Sequence, residues 1–248
     1  MKNLLRRLLG RTLARLLVLR SQTYPFPAGG ALVLAPHADD ETLGCGGLLA
    51  AKRARGDAVQ VVFVSDSAGA PESGTSASLA ARRRAEALAA LDVLGIPPAD
   101  IHFLEAADGR LNRLTPAETA RVHTALTALL EKFKPAEIFV PYFGGGSTEH
   151  DATVDLAQAA LATSGIRPRV WEYPVWAWWD PRRLAGQLQR PAENFHLKLA
   201  GLRDRKQAAL ACHRSQLEPQ PPAGEPPLPP VLAALCTGPA EFYFHRQP

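Results

Sequence analysis

The chain has 248 residues, enough for one domain with a sizeable core. A hydrophobic share of 46% with 21% charged residues excludes a disordered or fibrous chain. Three cysteines (Cys45, Cys212 and Cys236) without paired spacing exclude a disulfide framework or a cysteine zinc site, and point to a reducing, cytoplasmic compartment.

The net charge of +4 belongs to one end of the chain. Lys2, Arg6, Arg7, Arg11, Arg15 and Arg20 all precede the first acid, Asp39, and the remaining 22 bases face 24 acids. The body is therefore close to neutral, which excludes a nucleic-acid footprint there. The arm itself, "MKNLLRRLLGRTLARLLVLRS", places Leu4, Leu5, Leu8, Leu9, Leu13, Leu16 and Leu17 at helical spacing among arginines. It is too charged to span a bilayer or to act as a secretory signal. Two readings stay open for residues 1–20: a helix packed on the domain or a partner, or a helix lying on the inner, anionic face of a membrane.

From Gly29 onward, apolar strands alternate with helices. "ALVLAP" reads as a strand covered on both faces, and "GGLLAAKRARG" as the helix after it. "VQVVFVS", "DIHFLEA", "EIFVPY" and "RVWEYPVW" follow as four more strands, separated by helical segments. One of these helices has Thr115 as N-cap and Pro116 at its first position. Such alternation predicts an α/β fold: a three-layer, Rossmann-like open sheet, mostly parallel, with the amphipathic helix added at the N-terminus. The expected organisation is a basic helix over 1–24 and a single domain over 25–248. The latter includes a proline-rich loop at about 217–231, as proline fits neither helix nor central strand. Glu193–Arg214 reads as a helix and "AEFYFH" as an edge strand.

In an open parallel sheet, ligands bind beyond the carboxyl ends of the strands. The stretch "LVLAPHADDETLGCGG" places His37, Asp39, Asp40 and Glu41 at such an end. A histidine clustered with carboxylates suits a borderline metal. His37 and Asp40 can both enter one cavity, and His150, which opens the helix after the fourth strand, is the best third ligand. Asp39 between them can stay unligated as a general base. A D-D-E run alone also suits the start of any helix. The buried strand, the histidine and the glycine-rich loop before His150 favour a site. "GCGG" lacks the Gly-Lys-Ser/Thr end of a phosphate loop, so its glycines are expected to bring helix and strand close. The four tryptophans from Trp171 to Trp179 read either as a sugar platform or, for Trp171 above all, as packing.

"PHADDETLGCGG" resembles the signature of the LmbE-like, or PIG-L, family of zinc-dependent N-acetylglucosaminyl deacetylases. "RRAEALAALDVLGI", "ADGRL", "TEHDAT" and "KQAALACHRSQ" match further family motifs in order, over about residues 31–216. The resemblance implies Zn2+ on His37, Asp40 and His150, with Asp39 as general base. It implies an N-acetylated amino-sugar substrate, glycan- or lipid-linked, touched by Arg83 and Asp108. Two positions depart from the pattern. Ala38 replaces a proline, and Ser147 stands where many members carry a histidine that steadies the oxyanion. His213 is the candidate to replace it, against a plain structural role. Two alternatives accompany this reading: a metal-dependent hydrolase of another amide or a phosphate ester, and a metal-bearing scaffold that binds a membrane or partner. Oligomeric state is not legible.

Overall fold

A computed structural model describes residues 2–69, 76–219 and 224–246. In chain order the elements are α1 (Lys2–Arg20), β1 (Gln22–Thr23), β2 (Ala31–Ala35), α2 (Asp40–Ala54), β3 (Val59–Ser65), α3 (Ser76–Leu94), β4 (Ile101–Ala106) and α4 (Pro116–Phe133). They continue with β5 (Glu137–Pro141), α5 (Thr148–Ser164), β6 (Arg169–Tyr173), β7 (Asn194–Lys198), α6 (Arg203–Leu210), α7 (Arg214–Leu217), α8 (Pro230–Cys236) and β8 (Ala240–Arg246). Short 3-10 turns lie between, the longest at Pro181–Gln189.

The eight strands form one sheet in the order β1-β7-β8-β6-β5-β2-β3-β4. Every pairing is parallel except those of β8 with β6 and β7. Alternation along β2 divides the core. Ala31, Val33 and Ala35 pack with Leu48 of α2 and Leu91 of α3, while Leu32 and Leu34 pack with Leu126 of α4 and Val154 of α5. Apolar side chains leaving both faces of a strand demand a cover on each side, hence three layers. The strand order reverses between β2 and β5, so the crevice expected at a topological switch point opens above those two adjacent strands.

The glycines of "GCGG" set how closely α2 approaches the sheet. A Cβ on Gly44 would lie 2.1 Å from the Tyr173 ring of β6, and one on Gly47 would lie 2.2 Å from Leu199. This agrees with the packing role expected of them. The N-cap of α4 is also as expected, with Thr115 before Pro116, and the structure adds a capping box in which Thr115 accepts from the Glu118 amide.

The last third of the chain departs from expectation. Glu193–Arg214 is not one helix: Asn194–Lys198 forms β7, and only Arg203–Leu210 forms α6. "AEFYFH" is not an edge but the interior strand β8, antiparallel between β6 and β7. Both results have one cause. A strand is selected by partners far along the chain, and the apolar side chains of Phe195 and Leu197 meet β8 instead of continuing a helical stripe. His196 is buried in β7 with Ser21 Oγ 2.8 Å from its Nδ1. Of the proline-rich segment, residues 220–223 lie outside the described residues. After it, α8 begins at Pro230, with proline again in the first helical turn.

Candidate active site and metal centre

His37 follows β2 and His150 lies in the first turn of α5 after β5, so the two stand on either side of the switch point. Asp40 opens α2. Its Oδ2 lies 3.2 Å from His37 Nδ1 and 3.2 Å from His150 Nε2. A four-coordinate cation with bonds near 2 Å holds its ligand atoms roughly 3.3 Å apart. His150 Nε2 is buried without a hydrogen-bond partner among the described residues. An orphaned imidazole nitrogen aimed at a shared carboxylate oxygen is the geometry a cation completes, so the donor set fits a divalent metal.

The other side of the His37 ring is also occupied. Nε2 lies 2.7 Å from Glu149 Oε2 and 3.2 Å from Asp108 Oδ1. A carboxylate only accepts, so these two contacts favour a proton on Nε2, which would leave the Nδ1 lone pair to a metal when one is bound. Burial alone would lower the pKa of His37, but Asp108, Asp40 and Glu149 raise it well above the ordinary histidine value. Burial likewise pushes Asp40 up, and the neighbouring His150 and His37 outweigh it, holding its carboxyl low.

Asp39 caps α2 with φ 146°, in the region that side chains rarely enter. Its amide donates to Glu41 Oε2 at 3.0 Å, which helps hold the turn. Its carboxylate accepts no hydrogen bond among the described residues and is nearly buried. Burial, reinforced by the adjacent Asp40 charge, pushes it up to about 8. Glu41 is fully buried, with Oε1 accepting from Thr42 Oγ1 at 2.6 Å and lying 3.2 Å from His213 Nε2. His213, itself fully buried, therefore returns to the base of the site through Glu41, and no hydrogen bond or ion pair among the described residues joins it to His37 or His150.

Arg83 and Asp108 meet at 3.7 Å. Arg83 also donates to Ser67 O at 2.9 Å and to Gln216 Oε1 at 3.2 Å, and Asp108 Oδ2 accepts from Gly69 N at 2.8 Å. Glu86, one turn along α3, accepts from the amide and hydroxyl of Ser215. The arginine-glutamate pair of α3 thus binds the serine-glutamine pair of α7, two motifs far apart in sequence. Ser147 Oγ caps α5 by accepting from the His150 amide. Trp171 is buried and donates from Nε1 to Glu137, the packing role expected of it. Sequence reasoning missed Glu149; its place immediately before His150 in "TEHDAT" was the available signal.

These features define a class: an open α/β sheet protein with a His-Asp-His centre fit for a divalent cation at its switch point. Residues 32–161 match the family model described as PIG-L: GlcNAc-PI de-N-acetylase, more than half of the chain. The chain belongs to the PIG-L family. It is similar to the N,N'-diacetylchitobiose deacetylase from Pyrococcus horikoshii solved with an inhibitor: 25% identity, 77% of this chain and 72% of that one, TM-score 0.59. It shares the fold of an antimicrobial pseudoaglycone deacetylase at 20% identity, over 87% and 96% of the two chains, TM-score 0.65. It also shares that of a 4-carboxy-2-hydroxymuconate hydratase from Pseudomonas putida at 21% identity, over 75% and 78%, TM-score 0.57. No curated protein matches the chain.

Proposed function

We propose that this protein is a zinc-dependent de-N-acetylase that removes the acetyl group from an N-acetylated amino sugar. The observation that carries the reading is the orphaned His150 Nε2, 3.2 Å from the Asp40 oxygen that also faces His37. His37, Asp40 and His150 would hold the cation. When bound, a zinc ion supplies Lewis-acid polarisation of the acetamide carbonyl and a nucleophile at neutral pH.

The remaining work falls to side chains of the chain itself. The Asp39 carboxylate, free of hydrogen bonds and beside the ligands, takes the proton of the attacking water and returns it to the departing amine nitrogen. Glu149 and Asp108 hold the His37 ring at Nε2. Arg83 and Asp108 are assigned to the sugar at the edge of the pocket, with Gln216 and Ser67 fixing the guanidinium. Glu41 ties His213 to the Asp39 turn, so His213 acts here as a positioning residue in support of the base.

The test is acetate release from N-acetylglucosamine conjugates, run with metal analysis of the same protein. The expected result is bound zinc, loss of activity with a chelator and its return with zinc. Asp39→Asn keeps the zinc and loses about 100-fold or more of the rate. Activity indifferent to chelator, or to Asp39→Asn, overturns the reading.

A further inference from the structure

The N-terminal helix carries an apolar face that the rest of the molecule does not use. α1 is seated on the domain by Gly10, Leu13 and Leu17, which are buried. A Cβ on Gly10 would lie 2.8 Å from the Leu235 side chain of α8, so this contact is close. Leu4, Leu5, Leu8, Leu9, Leu16 and Leu19 are instead between 42% and 79% exposed. At 100° per residue these six fall within an arc of roughly 140° centred opposite Gly10. Leu4, Leu8 and Leu19 therefore point away from the body, the reverse of what a helix packed on a core does, while Leu5, Leu9 and Leu16 rim a cleft beside it.

The charges on the same helix select the occupant. Lys2, Arg7, Arg11, Arg15 and Arg20 are exposed, and no basic residue of α1 forms an ion pair among the described residues. Arg7 and Arg11 flank the leucine arc on one side and Lys2 and Arg20 on the other, with Arg15 just inside the first edge, between Leu4 and Leu8. Arg6 turns inward and stacks on Trp179, 3.9 Å from the ring centre. No helix among the described residues is long and apolar enough to cross a membrane. An outward apolar stripe between two rows of unpaired cations is the pattern of a helix lying in the headgroup layer of an anionic bilayer.

We propose that α1 docks this protein on an anionic membrane surface, leucines into the acyl boundary and arginines on the phosphates. A cleft of about 700 Å³ between α1 and the Pro181–Gln189 turn adds a consequence. It is lined by Leu5, Leu9 and Leu16 of the exposed face and by Gly145 and Gly146 of the loop that leads to His150. Docking thus places one wall of the active-site loop next to lipid. The proposal stands whether or not the enzyme deacetylates a sugar, since it concerns a different surface.

Co-sedimentation of the full chain with phosphatidylcholine vesicles, with and without phosphatidylglycerol, tests it. Deleting the arm would also remove buried Leu13 and Leu17, so point variants on exposed positions are preferable. The expected result is binding to the anionic vesicles alone, weakened by salt. Arg7→Gln/Arg11→Gln/Arg15→Gln should weaken it roughly 100-fold. Leu4→Ser/Leu8→Ser/Leu19→Ser should abolish it, with the circular dichroism spectrum and zinc content unchanged. Absence of binding to anionic vesicles overturns the proposal. So does binding that both variants leave intact, or a dimer in vesicle-free solution that only the leucine variant dissociates.

Discussion

Glu149 Oε2 stands 2.7 Å from His37 Nε2, across the imidazole from the Asp40 oxygen that faces Nδ1. One ring is therefore held by carboxylates at both nitrogens, and only one of the two can give way to a cation. On the proposed metal reading, Glu149, together with Asp108, would keep the proton at Nε2 and leave Nδ1 to the cation. Glu149→Gln removes the charge that favours Nε2–H while preserving the shape. Zinc affinity is expected to fall by about 10- to 100-fold, measured by competition with a chromogenic chelator. An unchanged affinity would show that the ring is fixed by packing alone.

His213 provides a test by pH. Burial lowers its pKa, but Glu41 and then Asp39 outweigh burial, so the folded value lies above the ordinary 6.5. A group raised on folding stabilises fully below its unfolded pKa, and that contribution fades as pH rises through the folded pKa. Relative to His213→Gln, the native protein should gain most from His213 near pH 6 and progressively less on the alkaline side. Urea denaturation of both proteins across that range measures it. A stability difference that grows with pH would contradict the assignment of a charged His213 on Glu41.

A second charged network lies under α2. Lys206 Nζ is 2.7 Å from Glu241 Oε1 and donates to Leu43 O at 2.7 Å, and both side chains are buried. Glu241 also accepts from the amides of Gly47 and Leu48 and from the Tyr243 hydroxyl. It thus anchors to β8 the helix that carries Asp40. Lys206→Met leaves the Glu241 charge buried without its cation, and should cost about 3–5 kcal/mol in chemical denaturation. Lys206→Met/Glu241→Gln should recover part of that loss. Additive losses would argue that the two side chains do not act as a pair.

The local half of this protein was legible along the chain. Ala31–Ala35 reads as a buried strand because each of its residues is apolar, and His37, Asp39 and Asp40 follow it directly, so their common location needs no distant contact. Thr115 and Pro116 announce α4 for the same reason, since a cap acts on the amides of its own first turn. That His150 lies on the same edge could be inferred because parallel strands place all their carboxyl ends together.

The tertiary structure decided what depends on partners far away in sequence. Strand pairing between β7 and β8 overrode the helix expected over Glu193–Arg214 and moved "AEFYFH" from an edge to the interior. Glu149 meets His37, a residue 112 positions earlier, only because β2 and β5 lie side by side. The arginine-glutamate pair of α3 found its serine-glutamine partners on α7 in the same way. The amphipathic period of α1 was plain in the sequence, but period does not say which face is covered. Burial of Leu13 and Leu17, and exposure of the six leucines opposite, is a property of the packed molecule, because burial is decided by whatever else occupies the adjoining space.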